Sequence, residues 1–334
     1  MPMRSTSHRA PARTARTAPT ARRTGLVATA AAGAVLATLL AAPVGANAQE
    51  APAGPVTAAT GDASAVSAYW TAERRAEAVA AGDGSAPADA SPAASSLEAS
   101  DRAVPSRRTA SGAGSVRPHA AVPYVGELFY VEDGRNRACT ATVVSSPAGD
   151  VISTAASCVM DRARHRVRPL ATFVPGSVGA RAPYGVWPIR TAVPTEAWST
   201  AADEADDVAF ARVTSLSGAR MQDATGSVVP AFDVPPAQAP ASEMLRVFAY
   251  PQAAPYRGRQ LVGCGAIAHR AAGAAGPAAI GCAVGDGAAG GPALSADGRL
   301  RSVVTRPADA SGTAALATWG QDAADALATL VAGR

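Results

Sequence analysis

The sequence contains no lysine; all 30 basic residues among its 334 positions are arginine. Aromatic side chains make up 4% of the chain, and there are four cysteines and four histidines. The cysteines form no C-x-x-C pair and no histidine stands at ligand spacing to them, which excludes the common zinc patterns. Hydrophobic residues reach 48%, but 86 positions are alanine, which buries little area per residue, so the apolar content overstates the core. The missing lysine and the alanine excess together read as the mark of a GC-rich genome.

The formal net charge of +4 is local. Residues 1–48 hold Arg4, Arg9, Arg13, Arg16, Arg22 and Arg23 and no acid, and the rest of the chain has 24 basic against 26 acidic residues. Residues 119–334 carry 18 of each sign, so composition gives no support to a nucleic-acid partner. After the basic stretch, Leu26–Ala42 is an apolar run of signal-peptide length, and Ala46-Asn47-Ala48 offers a small-residue cleavage site. A membrane anchor is the competing reading, but the run is short and alanine-heavy for a span. Arg22-Arg23 leaves the export route open between the general and twin-arginine pathways. The expectation is a secreted protein with no membrane segment in its mature form. Export in turn reads Cys139, Cys158, Cys264 and Cys282 as disulfide partners in one of three pairings. The local pairing closes two short loops worth roughly 3 kcal/mol each.

Residues 49–118 are rich in Ala, Pro, Ser, Gly and Asp and lack the large side chains that offset ordering entropy, which predicts a disordered leader or pro-segment. One island, Ser67–Ala81, breaks the pattern. Thr71 is a candidate N-cap with Glu73 in the first turn, predicting a helix near 72–81. Either Tyr69 and Trp70 dock that helix on the following domain, or it is a transient helix in a tail.

From about residue 120 short apolar or alternating runs recur: Tyr124–Val131, Ala138–Ser145, Val151–Ala155, Val167–Val174, Tyr184–Val193, Val208–Val213, Leu245–Tyr250, Gln260–Ala268, Pro292–Leu294, Leu300–Thr305 and Ala314–Thr318. Turn residues such as Asp133-Gly134 and Asp297-Gly298 separate them, the signature of an all-β sandwich or barrel. A closing helix is predicted over Gln321–Val331, with Ala323, Leu327 and Leu330 on one face.

Three segments then acquire meaning together: Ala138-Cys-Thr-Ala-Thr-Val-Val-Ser145, Val151-Ile-Ser-Thr-Ala-Ala-Ser-Cys158 and Gly281-Cys-Ala-Val-Gly-Asp-Gly-Ala-Ala-Gly-Gly-Pro292. In this order they resemble the C-x-A-x-V-V, T-A-x-H-C and G-x-S-G-G-P motifs of the trypsin-like serine peptidases. Val174-Pro-Gly176, Ala182-Pro-Tyr-Gly185, Ala249-Tyr-Pro251, Ala254-Pro-Tyr-x-Gly258 and the upstream Tyr69-Trp-Thr71 are similar to a secreted bacterial subgroup. The resemblance covers about residues 120–320 and implies two antiparallel six-stranded barrels with a cleft between them, a C-terminal helix, and a Cys139–Cys158 disulfide beside the histidine turn.

What the resemblance does not carry over is the chemistry. Nucleophilic acyl transfer needs a nucleophile, an imidazole to take its proton and a carboxylate to hold that imidazole. The histidine position is Ser157 and the nucleophile position is Ala289. Asp207, ahead of Val208–Ala211, matches the family's aspartate, with Asp206 the alternative register. Loss of the nucleophile or of the base alone removes roughly 10⁶-fold of rate. The backbone amides of Gly287 and Ala289 remain as an oxyanion-hole remnant able to take a carbonyl or carboxylate. Asp207 is expected to serve as a structural carboxylate accepting a hydrogen bond from the Ser157 hydroxyl.

Other features weigh less. His165, in Arg162–Arg168, reads as a solvated histidine in a basic edge, and His269 as exposed. Gly285–Gly290 satisfies G-x-G-x-x-G, but Pro292 argues against the helix that a dinucleotide site requires. The expected function is therefore that of a secreted, proteolytically inactive homologue. It would bind a protein or peptide in the former cleft, as a monomer without cofactor or metal. The alternatives are an active secreted serine endopeptidase or hydrolase with a rearranged site, for instance through His165, and a structural surface protein working through residues 49–118.

Overall fold

The computed structural model describes residues 56–57, 62–81, 114–226, 230–232, 242–270 and 278–333. The export segment, the rest of the leader and the Gly/Ala stretch at 271–277 lie outside the described residues.

The leader contributes β1 (Val56–Thr57), α1 (Ala63–Tyr69), α2 (Ala72–Ala80) and β2 (Arg117–Pro118). Thr71 caps α2, its side chain accepting from the Arg74 N–H. This is more order than leader composition predicts, because α1 and α2 lie against the first barrel, where Val66, Trp70, Ala78 and Val79 join Phe129, Ala138 and Val174 in a small core.

The first barrel follows: β3 (Val125–Glu132), β4 (Arg135–Val144), β5 (Val151–Thr154), the one-turn α3 (Ala156–Val159), a ribbon of β6 (Met160–Asp161) and β7 (Arg166–Val167), then β8 (Thr172–Pro175), β9 (Trp187–Pro194), α4 (Glu196–Ala201), β10 (Ala209–Val213) and α5 (Met221–Thr225). The β3–β4 hairpin closes through Asp133 and Gly134, both at positive φ (48° and 74°). That is the two-residue turn whose twist matches the strands it joins. Neighbours run β9-β10-β5-β4-β3-β8, and β8 pairs back with β9, closing six antiparallel strands, while β1 adds to β9.

The second barrel comprises β11 (Ser242–Ala249), β12 (Val262–Arg270), β13 (Ala278–Ile280), β14 (Pro292–Leu294), β15 (Leu300–Arg306) and β16 (Ala314–Leu316). Its order is β11-β14-β15-β16-β13-β12, with β12 pairing back to β11 and β2 added to β12. The ring is held by short pairings at β13–β16 and β11–β14, two residue pairs each, and by a long β11–β12 hairpin. The abundant alanines find their place here: Ala249, Ala266, Ala268, Ala288, Ala293 and Ala314 fill the narrow interior beside Val247, Val262, Ile280 and Leu316. A third core lies between the barrels, where Val208, Phe210, Phe248, Tyr250, Leu261 and Val303 meet Trp319 and the Ala323, Ala326 and Leu330 face of α6 (Gln321–Ala332). Phe210 stands edge-on to Trp319 at 5.8 Å. Two disulfides, Cys139–Cys158 and Cys264–Cys282, realise the local pairing, one per barrel. Among the described residues no helix is long and apolar enough to cross a membrane.

Candidate functional site

Two chain segments from the first barrel and one from the second meet at the seam. The first leaves β5 and turns into α3, which places Ser157 just beyond the barrel wall and ties Cys158 to Cys139 on β4. The second is the entry to β10, where a single 3₁₀ turn, Glu204–Asp206, delivers Asp207. Asp207 is 6% exposed and faces Ser157 with both oxygens: the Ser157 N–H donates to Oδ1 at 2.7 Å and the Ser157 hydroxyl to Oδ2 at 2.6 Å. Asp207 and not Asp206 bonds Ser157; the Asp206 carboxylate turns to the Thr318 side chain. Burial pushes the Asp207 carboxyl up to about 6, and the bonds from Ser157 and from the Ala156 backbone pull against that rise. The Ser157 carbonyl is also held, accepting from Arg168 Nε at 2.8 Å, and Arg168 in turn pairs with Glu132 at 2.6 Å.

The third segment is the 285–291 loop. Its glycines are required by space as well as by dihedral angle: at Gly290 (φ +80°) a Cβ would fall 2.1 Å from the Thr140 carbonyl oxygen and 2.2 Å from Thr154 Oγ1. At Gly287 (φ +85°) it would fall 2.6 Å from the Tyr250 carbonyl oxygen. Thr140, on β4, is the knot that ties this loop to the first barrel. Its N–H donates to Ala289 O at 2.9 Å, its hydroxyl donates to Gly287 O at 2.8 Å, and the same hydroxyl accepts from the Tyr250 N–H. Ala289 packs against the first barrel's core, its carbonyl oxygen 3.9 Å from Cys158 Sγ. Among the described residues the Gly287 and Ala289 N–H groups have no acceptor; Gly287 is buried and Ala289 half-buried.

Ser157, Asp207, Ala289 and Gly287 therefore gather at one seam; His165 does not join them. It caps the Arg162–Arg164 turn in the left-handed region (φ 48°), exposed to solvent. His119 packs on Phe248, and His269 lies exposed on β12. Among the described residues no histidine bonds Asp207, and no cluster of three or more His, Cys, Asp or Glu side chains is present to hold a metal. The G-x-G-x-x-G stretch leads into β14 and not into a helix.

Sequence reasoning missed Thr140 and a buried polar centre behind the leader. Glu127, on β3, is 1% exposed, accepts from the Ser177 hydroxyl at 2.5 Å, and is pushed up to about 8 by burial, with the Arg75 guanidinium opposing the rise. The signal for it is a lone acid inside the apolar run Val125–Val131.

No protein-family model matches the chain and no curated protein matches its sequence. Solved structures do match by shape. The protease Anisep from Arthrobacter nicotinovorans is 24% identical with a TM-score of 0.57, the match covering 65% of this chain and 100% of that one. A thermostable serine protease from an extremophilic microorganism is 21% identical at a TM-score of 0.59, again over 65% and 100% of the two chains. A Glu endopeptidase is 13% identical at 0.52, over 67% and 99%. The fold is that of the bacterial trypsin-like serine proteases.

Proposed function

We propose that this is an exported homologue of the trypsin-like serine peptidases that has lost proteolysis and acts, as a monomer, by binding a protein or peptide in the former cleft. The observation that carries the reading is the Ser157–Asp207 pair facing a loop whose nucleophile position is the methyl of Ala289. A methyl cannot form an acyl-enzyme. A serine hydroxyl that already donates to Asp207 offers no base near neutral pH. What remains is the pair of amides at Gly287 and Ala289, suited to a backbone carbonyl or a terminal carboxylate and worth at most about 10³–10⁴-fold over water as a catalyst. Export is supported by the basic-then-apolar segment at 1–48 and by the two disulfides, which persist in oxidising compartments. The test is a fluorophosphonate probe on the purified full chain. No labelling is expected, and robust labelling blocked by a serine-peptidase inhibitor overturns the reading.

A further inference from the structure

We propose that residues 62–81 are a helical ligand of the first barrel, recognised by a dedicated groove and retained there non-covalently when the chain between residues 81 and 114 is cut. A nine-residue helix such as α2 is too short to be stable alone in water, so the groove must supply its order.

The contacts that do so are specific in kind and spacing. Trp70 is 1% exposed, lies 5.3 Å from Phe129 between ring centres, and donates its indole N–H to Leu170 O at 2.6 Å. Beside it the Tyr69 hydroxyl donates to Asn136 Oδ1 at 2.8 Å, and Asn136 Nδ2 donates to Glu77 Oε2 at 3.0 Å, so one groove residue reads two helix residues. Five positions after Trp70, the buried Arg75 guanidinium donates to Trp70 O and to Ala180 O. At the far end Val79 rests on Gly258, where a Cβ would fall 2.2 Å from its methyl, so the second barrel's hairpin loop is shaped to the helix as well. The buried residues of α2 are Arg75, Ala78 and Val79, at i, i+3 and i+4, while Glu73 and Arg74 face solvent. An aromatic pair, an arginine five residues on, and small apolar residues three and four beyond that define the ligand the groove accepts.

Docking also builds surface next to the nucleophile-position loop. Ala76, Val79 and Ala80 line a cavity of about 640 Å³ together with Gly179, Gln252 and Gly258. The Gln252 N–H donates to Asp286 O at 2.6 Å, so the cavity's lining adjoins the 285–291 loop at that residue. A leader that merely accompanied export would need neither the buried guanidinium nor a glycine fitted to Val79.

The experiment inserts a recognition site for a sequence-specific protease between residues 81 and 114 of the full chain, cleaves the purified protein and follows the two fragments by size-exclusion chromatography and native mass spectrometry. The N-terminal fragment is expected to stay with the body at micromolar concentration. Trp70→Ala or Arg75→Ala should release it, and Glu73→Ala, at an exposed position, should not. Asn136→Ala leaves the helix sequence intact and should weaken retention roughly tenfold, about the loss of one to two hydrogen bonds. That arm decides the matter if Trp70→Ala fails to fold. Free separation of the unsubstituted fragments after cleavage, or equal retention of all variants, overturns the proposal.

Discussion

The Ser157 hydroxyl donates to Asp207 Oδ2 at 2.6 Å while the Ser157 N–H donates to Oδ1 at 2.7 Å, so one residue supplies a donor to each oxygen of the buried carboxylate, with the Ala156 backbone beside them. On the proposed reading Asp207 in this arrangement is structural. Removing the hydroxyl in Ser157→Ala leaves Oδ2 buried without its donor, which should cost about 1–3 kcal/mol at pH 7 in chemical denaturation. The cost should shrink at pH 4, where the carboxyl is protonated and the uncompensated charge is gone. An equal cost at both pH values contradicts the assignment.

The pH dependence of stability has a definite sign. Asp207 is raised to about 6 and Glu127 to about 8, both above their unfolded values, so each group's contribution is fully present below its unfolded value and is lost as pH rises through the folded one. Thermal midpoints should fall from about pH 4 to 6 through both groups, go on falling to about pH 8 through Glu127 alone, and level off above that. Asp207→Asn should reduce the fall below pH 6 only, and Glu127→Gln should remove the fall between pH 6 and 8, when melts are compared across that range.

Gly290 and Gly298 share a φ of +80°, yet a Cβ at Gly298 would meet nothing within 4 Å. Gly298→Ala should therefore cost only the left-handed penalty, about 1–2 kcal/mol. Gly290→Ala adds the collision with Thr140 and Thr154 and should be several-fold more destabilising by urea denaturation, because the neighbours it strikes include backbone.

The Cys139–Cys158 bridge spans 19 residues and anchors the Ser157 turn. Its removal as Cys139→Ala/Cys158→Ala should lower stability by about 3 kcal/mol on the chain-entropy model. The comparison is between denaturation midpoints of the oxidised parent and the double variant.

Legibility in the sequence followed side-chain pattern. The long hairpin strands β3–β4 and β11–β12 and the helix α6 announce themselves through alternating or 3.6-periodic apolar residues. The run Val167–Val174 reads as one strand, but the chain forms β7 and β8 around a turn at Pro169 and Leu170, the latter at φ +56°. β1, β2 and β13 are two or three residues long and are specified by main-chain pairing, which leaves no side-chain period to read. At the seam, Ser157, Asp207 and Ala289 were legible because motif spacing marks them, whereas Thr140 acts through bonds to backbone groups far along the chain. α1 escaped detection because its seven residues, Ala63–Tyr69, are mostly Ala and Ser and bury only Val66 within the helix.

The central claim, that the seam lacks both nucleophile and base, is tested most directly by turnover of a peptide and ester panel. The purified chain is assayed beside Ser157→His/Ala289→Ser, which returns an imidazole next to Asp207 and a hydroxyl to the 285–291 loop. The account predicts hydrolysis at the buffer background for the unsubstituted chain and measurable, inhibitor-sensitive turnover for the double variant. Turnover by the unsubstituted chain, abolished by a serine-peptidase inhibitor, would contradict it.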